Sequence, residues 1–171
     1  MVEDSNMELK DEIALMANAS GACAEGLQEL AATVSREDMI KCFFENIKFC
    51  LAKHIPSSSF IASHARDIMH EQGLYVDDDV IVYNRKEIAF LGRCKAEVEV
   101  DRRMMCRIWA ADNSEINVKA YNGARFVVDA LDNAKINVIE CDNAHITVYQ
   151  YGNSKCSGAD LIVRKGETYE L

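Results

Sequence analysis

The stretch DNSEINVKAY-NGARFVVDAL-DNAKINVIEC-DNAHITVYQY, residues 112–151, decides the fold because one ten-residue pattern occurs four times in succession. A weaker copy, GNSKCSGADL, extends the series to residue 161. Each clean copy has two turn-forming residues, a small residue, and then two apolar residues separated by one other residue. A repeat this regular predicts that one backbone unit is stacked several times.

The alternation of apolar residues within each copy predicts a β-strand bounded by turns. Similar apolar pairs precede the clean copies at Val80 and Val82, Ile88 and Phe90, Val98 and Val100, and Cys106 and Ile108, and one follows at Leu161 and Val163. An antiparallel meander and a parallel β-solenoid are both compatible with this pattern. The solenoid better explains why like residues recur at the same phase, because its coils stack about 4.8 Å apart. We therefore predict a solenoid, with either one or two of these units in each coil.

Two columns of the repeat predict how its coils turn. The small residues suit a tight interior corner, and they are Ser114, Ala124, Ala134, Ala144 and Ser154. The second turn position holds residue types that tolerate a left-handed backbone, and these are Asn113, Gly123, Asn133, Asn143 and Asn153. We also expect the stacked Asn side chains to hydrogen-bond along the coil axis.

The first part of the chain has a helical rather than a strand period. Helices are predicted over 8–18, 22–32, 35–51, and from one of the serines at 57–59 to Met69. Ser35 and Asp38 resemble a capping box, Pro56 interrupts the helical pattern, and Gly73 ends it. The whole chain is therefore predicted to be an α+β protein, with a helical cap over 1–73 and a parallel β-solenoid over 74–171 that contains the clean repeats at 112–161.

Composition narrows the classes of function. The formal net charge of −9 disfavours direct nucleic-acid binding, which requires a basic surface. The acidic N-terminal residues lack the apolar core of a secretory signal, and no stretch of roughly 20 apolar residues is present, so no membrane association is expected. Seven cysteines, an odd number, indicate reduced thiols and a cytoplasmic location.

The sequence contains few patterns that are typical of catalytic or metal-binding sites. No P-loop, GxGxxG or GxSxG motif is present. Cys42, Cys50 and His54 have a spacing that zinc can use, but no second pair of ligands accompanies them. His64, Asp67, His70 and Glu71 are equally well explained by a polar helix surface. We therefore predict no catalytic residue, no cofactor and no metal site.

The positions between the inward-facing residues are candidates for a binding surface. The first outward position is mostly basic, and Val127, Ile139 and Tyr149 add exposed apolar area. An ordinary solvated sheet face explains the same pattern. If the surface binds a partner, the residues predicted to do so are Arg125, Val127, Lys135, Ile139, His145 and Tyr149.

Part of the repeat resembles a known family. The spacing of Ala124 and Phe126, Ala134 and Ile136, and Ala144 and Ile146 is similar to that of alternate units in pentapeptide-repeat proteins. The intervening units depart from that family, since they carry Lys119, Asp129, Ile139 and Tyr149 where it has a small residue. The layout of a helical head and a repeat tail also resembles uncharacterised proteins of bacteria and their mobile elements. Neither resemblance supplies a catalytic residue.

Two functions remain open from the sequence. The first is a non-catalytic protein-binding or scaffolding role, with a homo-oligomer possible because the ends of a solenoid expose unpaired strands. The alternative is implied by the family resemblance, since some pentapeptide-repeat proteins are acidic rods that imitate DNA. Such a protein would inhibit a DNA-binding or defence enzyme.

Overall fold

The computed structural model describes residues 2–158, 161–166 and 168–169, except for the side chains of residues 2–5 and of Glu140. The chain divides into two compact units, a helical one that ends at Gln72 and a second one that spans Gly73–Tyr169. The predicted α+β class is confirmed, because helices are followed by parallel strands stacked as a β-solenoid.

The described part of the first unit is built from short helices. They are α1 Val2–Ala19, α2 Ala24–Ala32, α3 Arg36–Glu45, α4 Ile47–Lys53, α5 Ser58–Ala65 and α6 Met69–Gln72. None of the described helices combines the length and the apolar character needed to cross a membrane. Leu30 of α2 packs with Met39 and Cys42 of α3 in a small core of this unit.

The predicted helix starts are confirmed at two serines. The hydroxyl of Ser35 accepts a hydrogen bond from the amide of Asp38 at 3.1 Å and donates one to its carboxylate at 2.9 Å. Ser57 is the residue that caps α5, accepting from the amide of Phe60 at 3.2 Å. These bonds satisfy amides at a helix start that have no partner within the helix.

Two helices predicted to be continuous are divided in the structure. The segment 35–51 breaks at Asn46, whose side-chain amide donates to the carbonyl of Cys42 at 3.1 Å and to Glu29 at 2.8 Å. Asparagine competes with the helical backbone in this way, which the apolar periodicity of the segment does not show. The helix predicted to reach Met69 ends at Ala65, and α6 begins after a short turn.

The second unit consists of parallel strands. They are β1 Leu74–Val76, β2 Asp79–Tyr83, β3 Glu87–Leu91, β4 Lys95–Val100, β5 Met105–Ala110, β6 Glu115–Ala120, β7 Arg125–Ala130, β8 Lys135–Cys141, β9 His145–Gln150, β10 Lys155–Gly158 and β11 Leu161–Lys165. The odd-numbered strands form one sheet in the order β1-β3-β5-β7-β9-β11, and the even-numbered strands form another in the order β10-β8-β6-β4-β2. This topology is that of a solenoid and excludes the meander.

The strand register shows that one coil contains two of the ten-residue units. Arg125 pairs with His145, and Glu115 pairs with Lys135, so equivalent positions in stacked coils are two units apart. The first and last coils are shorter, since the paired residues Leu74 and Ala89, and likewise Ile146 and Leu161, are separated by less than two full units. A register shift after Val118 makes β8 longer than its neighbours.

The core lies between the two sheets and follows the predicted inward columns. Phe126, Ile116 and Ile136 are at most 1% exposed. The small-residue corner is confirmed at Ser114, Ala124 and Ala134, which have no exposed surface, whereas Ala144 and Ser154 are half-buried.

The left-handed residues of the turns are only partly at the predicted position. Gly123 and Asn143 have positive φ as predicted, but Asn113, Asn133 and Asn153 do not. The left-handed position is instead the first residue of the turn, as at Asp112, Asn122 and Asp132, with φ of 55–56°. The predicted Asn contact is nevertheless present, since Asn133 donates to the side chain of Asn113 at 3.4 Å.

A ladder of aspartate side chains explains why the first residue of the turn adopts the left-handed conformation. The carboxylate of Asp112 accepts a hydrogen bond from the amide of Gly92 at 2.7 Å, and that of Asp132 accepts one from the amide of Asp112 at 2.9 Å. These two turns are thus bonded through an aspartate side chain to the turn of the preceding coil. Because short polar side chains that bond locally tolerate the left-handed region, Asp fits this first position.

Candidate partner-binding face

The two-unit coil divides the predicted binding surface between two sheets. Arg125, Val127, His145 and Tyr149 belong to β7 and β9 of the odd-strand sheet, whereas Lys135 and Ile139 belong to β8 of the even-strand sheet. Successive ten-residue units alternate between the sheets. The structure therefore does not bring the six residues together on one face.

On the outer face of the even-strand sheet, basic side chains form ion pairs with acidic side chains of the neighbouring coil. Lys135 donates to Glu115, and Lys119 donates to Glu97 at 2.9 Å. The hydrogen bond and the charge of Lys135 lower the pKa of Glu115. Asn137 bonds Asn117 at 3.2 Å, so the neighbouring row is also hydrogen-bonded along the stack. These contacts fit a solvated face, on which Ile139 is 50% exposed.

The outer face of the odd-strand sheet has a different character. We define the odd-strand face as the outward side chains of β5, β7, β9 and β11, namely Met105, Arg107, Trp109, Arg125, Val127, Asp129, His145, Thr147, Tyr149, Ile162 and Arg164. Met105 and Ile162 are 58% and 56% exposed, and Val127 and Tyr149 are half-buried. Apolar and basic side chains thus share this surface.

The acidic residue of the odd-strand face is withdrawn from solvent. Asp129 is 5% exposed, and its carboxylate lies 3.6 Å from the guanidinium of Arg107. The hydroxyl of Tyr169 donates to the same carboxylate oxygen at 3.3 Å. The charge of Asp129 is therefore compensated within the protein, whereas Arg125 and Arg164 remain exposed.

One row of this face was not recognised as a unit from the sequence. Trp109, Asp129, Tyr149 and Arg164 are paired neighbours across the sheet. The guanidinium of Arg107 lies 4.9 Å from the centre of the Trp109 ring, and that of Arg164 lies 5.9 Å from the Tyr149 ring. At both distances cations are attracted to aromatic faces. The recurrence of Trp109, Asp129 and Tyr149 at every second unit is the sequence signal that identifies this row.

The C-terminal residues return to the same face. The ring of Tyr169 meets that of Tyr151 edge-on, with centres 4.8 Å apart. Burial, together with the charge of Asp129 and the hydrogen bond to it, raises the pKa of Tyr169 well above that of a free phenol. Tyr169 is therefore held in its neutral, hydrogen-bonding form.

Replacing Tyr169 by phenylalanine is expected to lower the free energy of unfolding of the solenoid by about 0.5–1.5 kcal/mol, because it removes the hydrogen bond to Asp129. Since the folded-state pKa of Tyr169 is raised, its contribution is complete below the unfolded pKa of about 10 and is lost as the pH rises through the folded value. The difference between wild type and Tyr169→Phe should therefore shrink in alkaline solution.

Urea denaturation followed by the fluorescence of Trp109, the single tryptophan of the chain, measures this difference. Tyr83→Phe is the matched control, because Tyr83 is 59% exposed. A Tyr169→Phe protein with the stability and alkaline profile of the wild type would contradict the role of this contact.

The residues considered for metal or acid–base chemistry are spread over α3, α4, α5 and α6 and the turns between these helices. Cys42 and Cys50 lie in separate helices, and His54 follows α4 in a left-handed conformation, so these three residues do not lie on one continuous helix. Burial raises the pKa of Cys50 to about 12. Asp67 accepts two hydrogen bonds from Arg36, at 2.8 and 2.6 Å, which lower the pKa of Asp67.

Two cysteines that point into the solenoid, Cys94 and Cys106, have no exposed surface. Burial raises the pKa of Cys106 to about 12 and that of Cys94 to about 11. The thiol of Cys94 donates to the carbonyl of Leu91 at 3.2 Å, at the corner position that Ser114 occupies one coil later. Because the thiolate is the nucleophile and the metal ligand, these protonated thiols serve packing.

Comparison with known proteins yields no match, whether to a family model, to a curated protein or to a solved structure.

Proposed function

We propose that this chain is a non-catalytic binding or scaffolding protein and that its odd-strand face contacts a protein partner. The observation that carries the proposal is the sign of the exposed charges on this face. Within the odd-strand face, Arg125 and Arg164 are exposed and basic and Asp129 is buried, whereas the exposed Glu87 of β3 lies opposite Arg107 in the strand register. An uncompensated basic and apolar surface fits a partner that presents acidic and apolar groups.

The side chains of this face suit protein recognition. Tyrosine and arginine are enriched among the residues that contribute most to protein interfaces. Tyr149 presents a half-buried ring beside Arg164, and Val127 and Ile162 add apolar area. Because the parallel ladder holds these strands in register, the surface is formed before the partner arrives, and less conformational entropy is lost on binding.

The distribution of charge favours this proposal over imitation of DNA. Residues 1–72 contain twelve acidic and six basic residues, whereas residues 73–169 contain fifteen acidic and thirteen basic ones. The acidic excess therefore belongs mainly to the helical part of the chain. A DNA mimic would require acidic rows along the solenoid, whereas the described outer surface includes the ion pairs of Lys135 with Glu115 and Lys119 with Glu97 and the exposed basic residues Arg125 and Arg164.

The two sheets provide matched variants for a test. Arg125→Glu and Tyr149→Ala change the odd-strand face, and Lys135→Glu and Ile139→Ala make the same kinds of change on the even-strand sheet. After affinity capture from the native cell and identification of the partner by mass spectrometry, its dissociation constant is measured with each purified variant. We expect the odd-strand variants to weaken binding at least about tenfold and the even-strand variants to leave it nearly unchanged.

Equal binding by all four variants, or a loss confined to the even-strand pair, would exclude the odd-strand face. Turnover of a small substrate by the purified protein, with no partner recovered, would overturn the non-catalytic role. Circular dichroism of each variant verifies that the fold is retained.

A further inference from the structure

The last coil of the solenoid exposes residues whose equivalents are buried in the preceding coils. Leu161 and Val163 of β11 pair with Ile146 and Val148 of β9, which are 1% and 0% exposed. Val163 is 42% exposed, although it continues the same inward column, and the adjacent Ile162 is 56% exposed. The core therefore ends in apolar side chains that no further described coil covers.

The backbone of β11 presents a regular edge. The amide of Gly166 donates to the carbonyl of Gln150 at 2.9 Å, which shows that residue 166 directs its amide toward β9. Because alternate residues of a strand direct their N–H and C=O groups to the same side, residues 162 and 164 do likewise. Leu161, Val163 and Lys165 therefore direct theirs to the outer edge, which pairs with no described strand.

We propose that two copies of this chain associate tail to tail through antiparallel pairing of their β11 strands, centred on Val163. A twofold axis at this residue places Val163 opposite Val163 of the second copy. The outward N–H and C=O groups of the two residues then bond reciprocally, as in a hydrogen-bonded antiparallel pair. Leu161 and Lys165 are likewise opposite each other, with their polar backbone groups directed across the interface.

The charges of β11 favour this register over registers with the twofold axis at a neighbouring residue. With the axis at Val163, Arg164 lies opposite Ile162 and Lys165 lies opposite Leu161, so no basic side chain faces another. An axis at Arg164 or Lys165 would place like charges directly opposite each other, which destabilises strand pairing. The apolar residues also cover one another and the aliphatic parts of the basic side chains.

The other end of the same sheet does not offer an equivalent edge. Leu74, Tyr75 and Val76, which form β1, are 1%, 8% and 0% exposed. Within the odd-strand sheet, head-to-tail addition, which would build a filament, would have to use this buried strand. Association through β11 alone uses the same patch on both copies and closes as a dimer.

Sedimentation of the purified full chain tests the proposal with no partner present, so its outcome is separate from that of the capture experiment. The end of one coil is a small interface, so the wild type is measured over roughly 10 to 500 µM. We expect a concentration-dependent species of about twice the 19.2 kDa mass of one chain.

Two substitutions at the centre of the pairing should abolish that species. Val163→Pro removes an amide that faces the outer edge and none that bonds β9, so edge pairing is blocked while the solenoid is retained. Val163→Lys places like charges across the twofold axis. Val163→Ile keeps both the amide and the apolar surface and should remain dimeric, with all three variants monitored for folding by Trp109 fluorescence.

A wild type that stays monomeric over the whole concentration range would overturn the proposal. It would equally be overturned if folded Val163→Pro and Val163→Lys dimerised like the wild type. Loss of the dimer in these two variants, together with its retention in Val163→Ile, would support it.

Discussion

Replacing Phe126 by alanine is expected to lower the free energy of unfolding of the solenoid by about 3–5 kcal/mol. Phe126 is 1% exposed and lies in β7, where it stacks between Cys106 of β5 and Ile146 of β9. The substitution removes the transfer free energy of the ring and leaves a cavity that a tightly packed coil cannot close. Since each coil contacts only its neighbours in the stack, the cavity weakens both of the adjoining interfaces.

Urea denaturation monitored by Trp109 measures this loss, because Trp109 lies in the adjacent strand β5. Val127→Ala is the matched control, since Val127 follows Phe126 in the same strand but points outward and is half-buried. The control should lose much less stability. Similar losses for the two variants would show that the inward and outward phases assigned to β7 are incorrect.

Replacing Asp132 by alanine is expected to lower the free energy of unfolding by about 2–4 kcal/mol, which combines two losses. The first is the hydrogen bond that the Asp132 carboxylate accepts from the amide of Asp112 in the preceding coil. The second is the tolerance of Asp for the left-handed conformation at this turn, where φ is 55°. Alanine supplies neither.

Asp132→Asn separates this explanation from a simple effect of charge. Asparagine retains a side-chain oxygen that can accept the hydrogen bond, and it also tolerates the left-handed region, so a loss below about 1 kcal/mol is expected. Hydrogen exchange at the amide of Asp112 gives a local measurement and should be faster in the alanine variant than in the asparagine variant. Equal losses in the two variants would assign the effect to the negative charge.

Local chemistry explains why much of the solenoid was predictable. The alternation of apolar residues marks the strands, and the small residues mark the corners, as the complete burial of Ser114, Ala124 and Ala134 confirms. Both signals depend on residues close in sequence. The left-handed position was misplaced by one residue because the hydrogen bond that favours Asp112 there reaches Gly92 in another coil.

In the helical part, too, bonds between residues close in sequence could be predicted, whereas a bond to another helix could not. The capping residues Ser35 and Ser57 were predicted because a cap bonds an amide only three residues away. The break at Asn46 was missed because its side chain bonds Glu29 of another helix as well as the carbonyl of Cys42. Apolar periodicity carries no information about such a bond.

The grouping of residues into a candidate site was the feature that the sequence predicted least well, because it depends on tertiary structure. Arg125 and Tyr149 were predicted on one surface together with Lys135 and Ile139, but the register assigns the two pairs to different sheets. The contact of Tyr169 with Asp129, which is far from it in the sequence, also had no local signal. The pairing of distant strands is what brings these residues together.

By itself, the sequence determined that strands of a repeating unit stack with their small and apolar residues inward, because that pattern is written in every ten-residue copy. Only the tertiary structure decided that two copies make one coil, which residues share a face, and which strand is left at the open edge. The physical reason is that ten-residue periodicity is compatible with coils of either one unit or two. The backbone hydrogen bonds between strands two units apart select the longer coil.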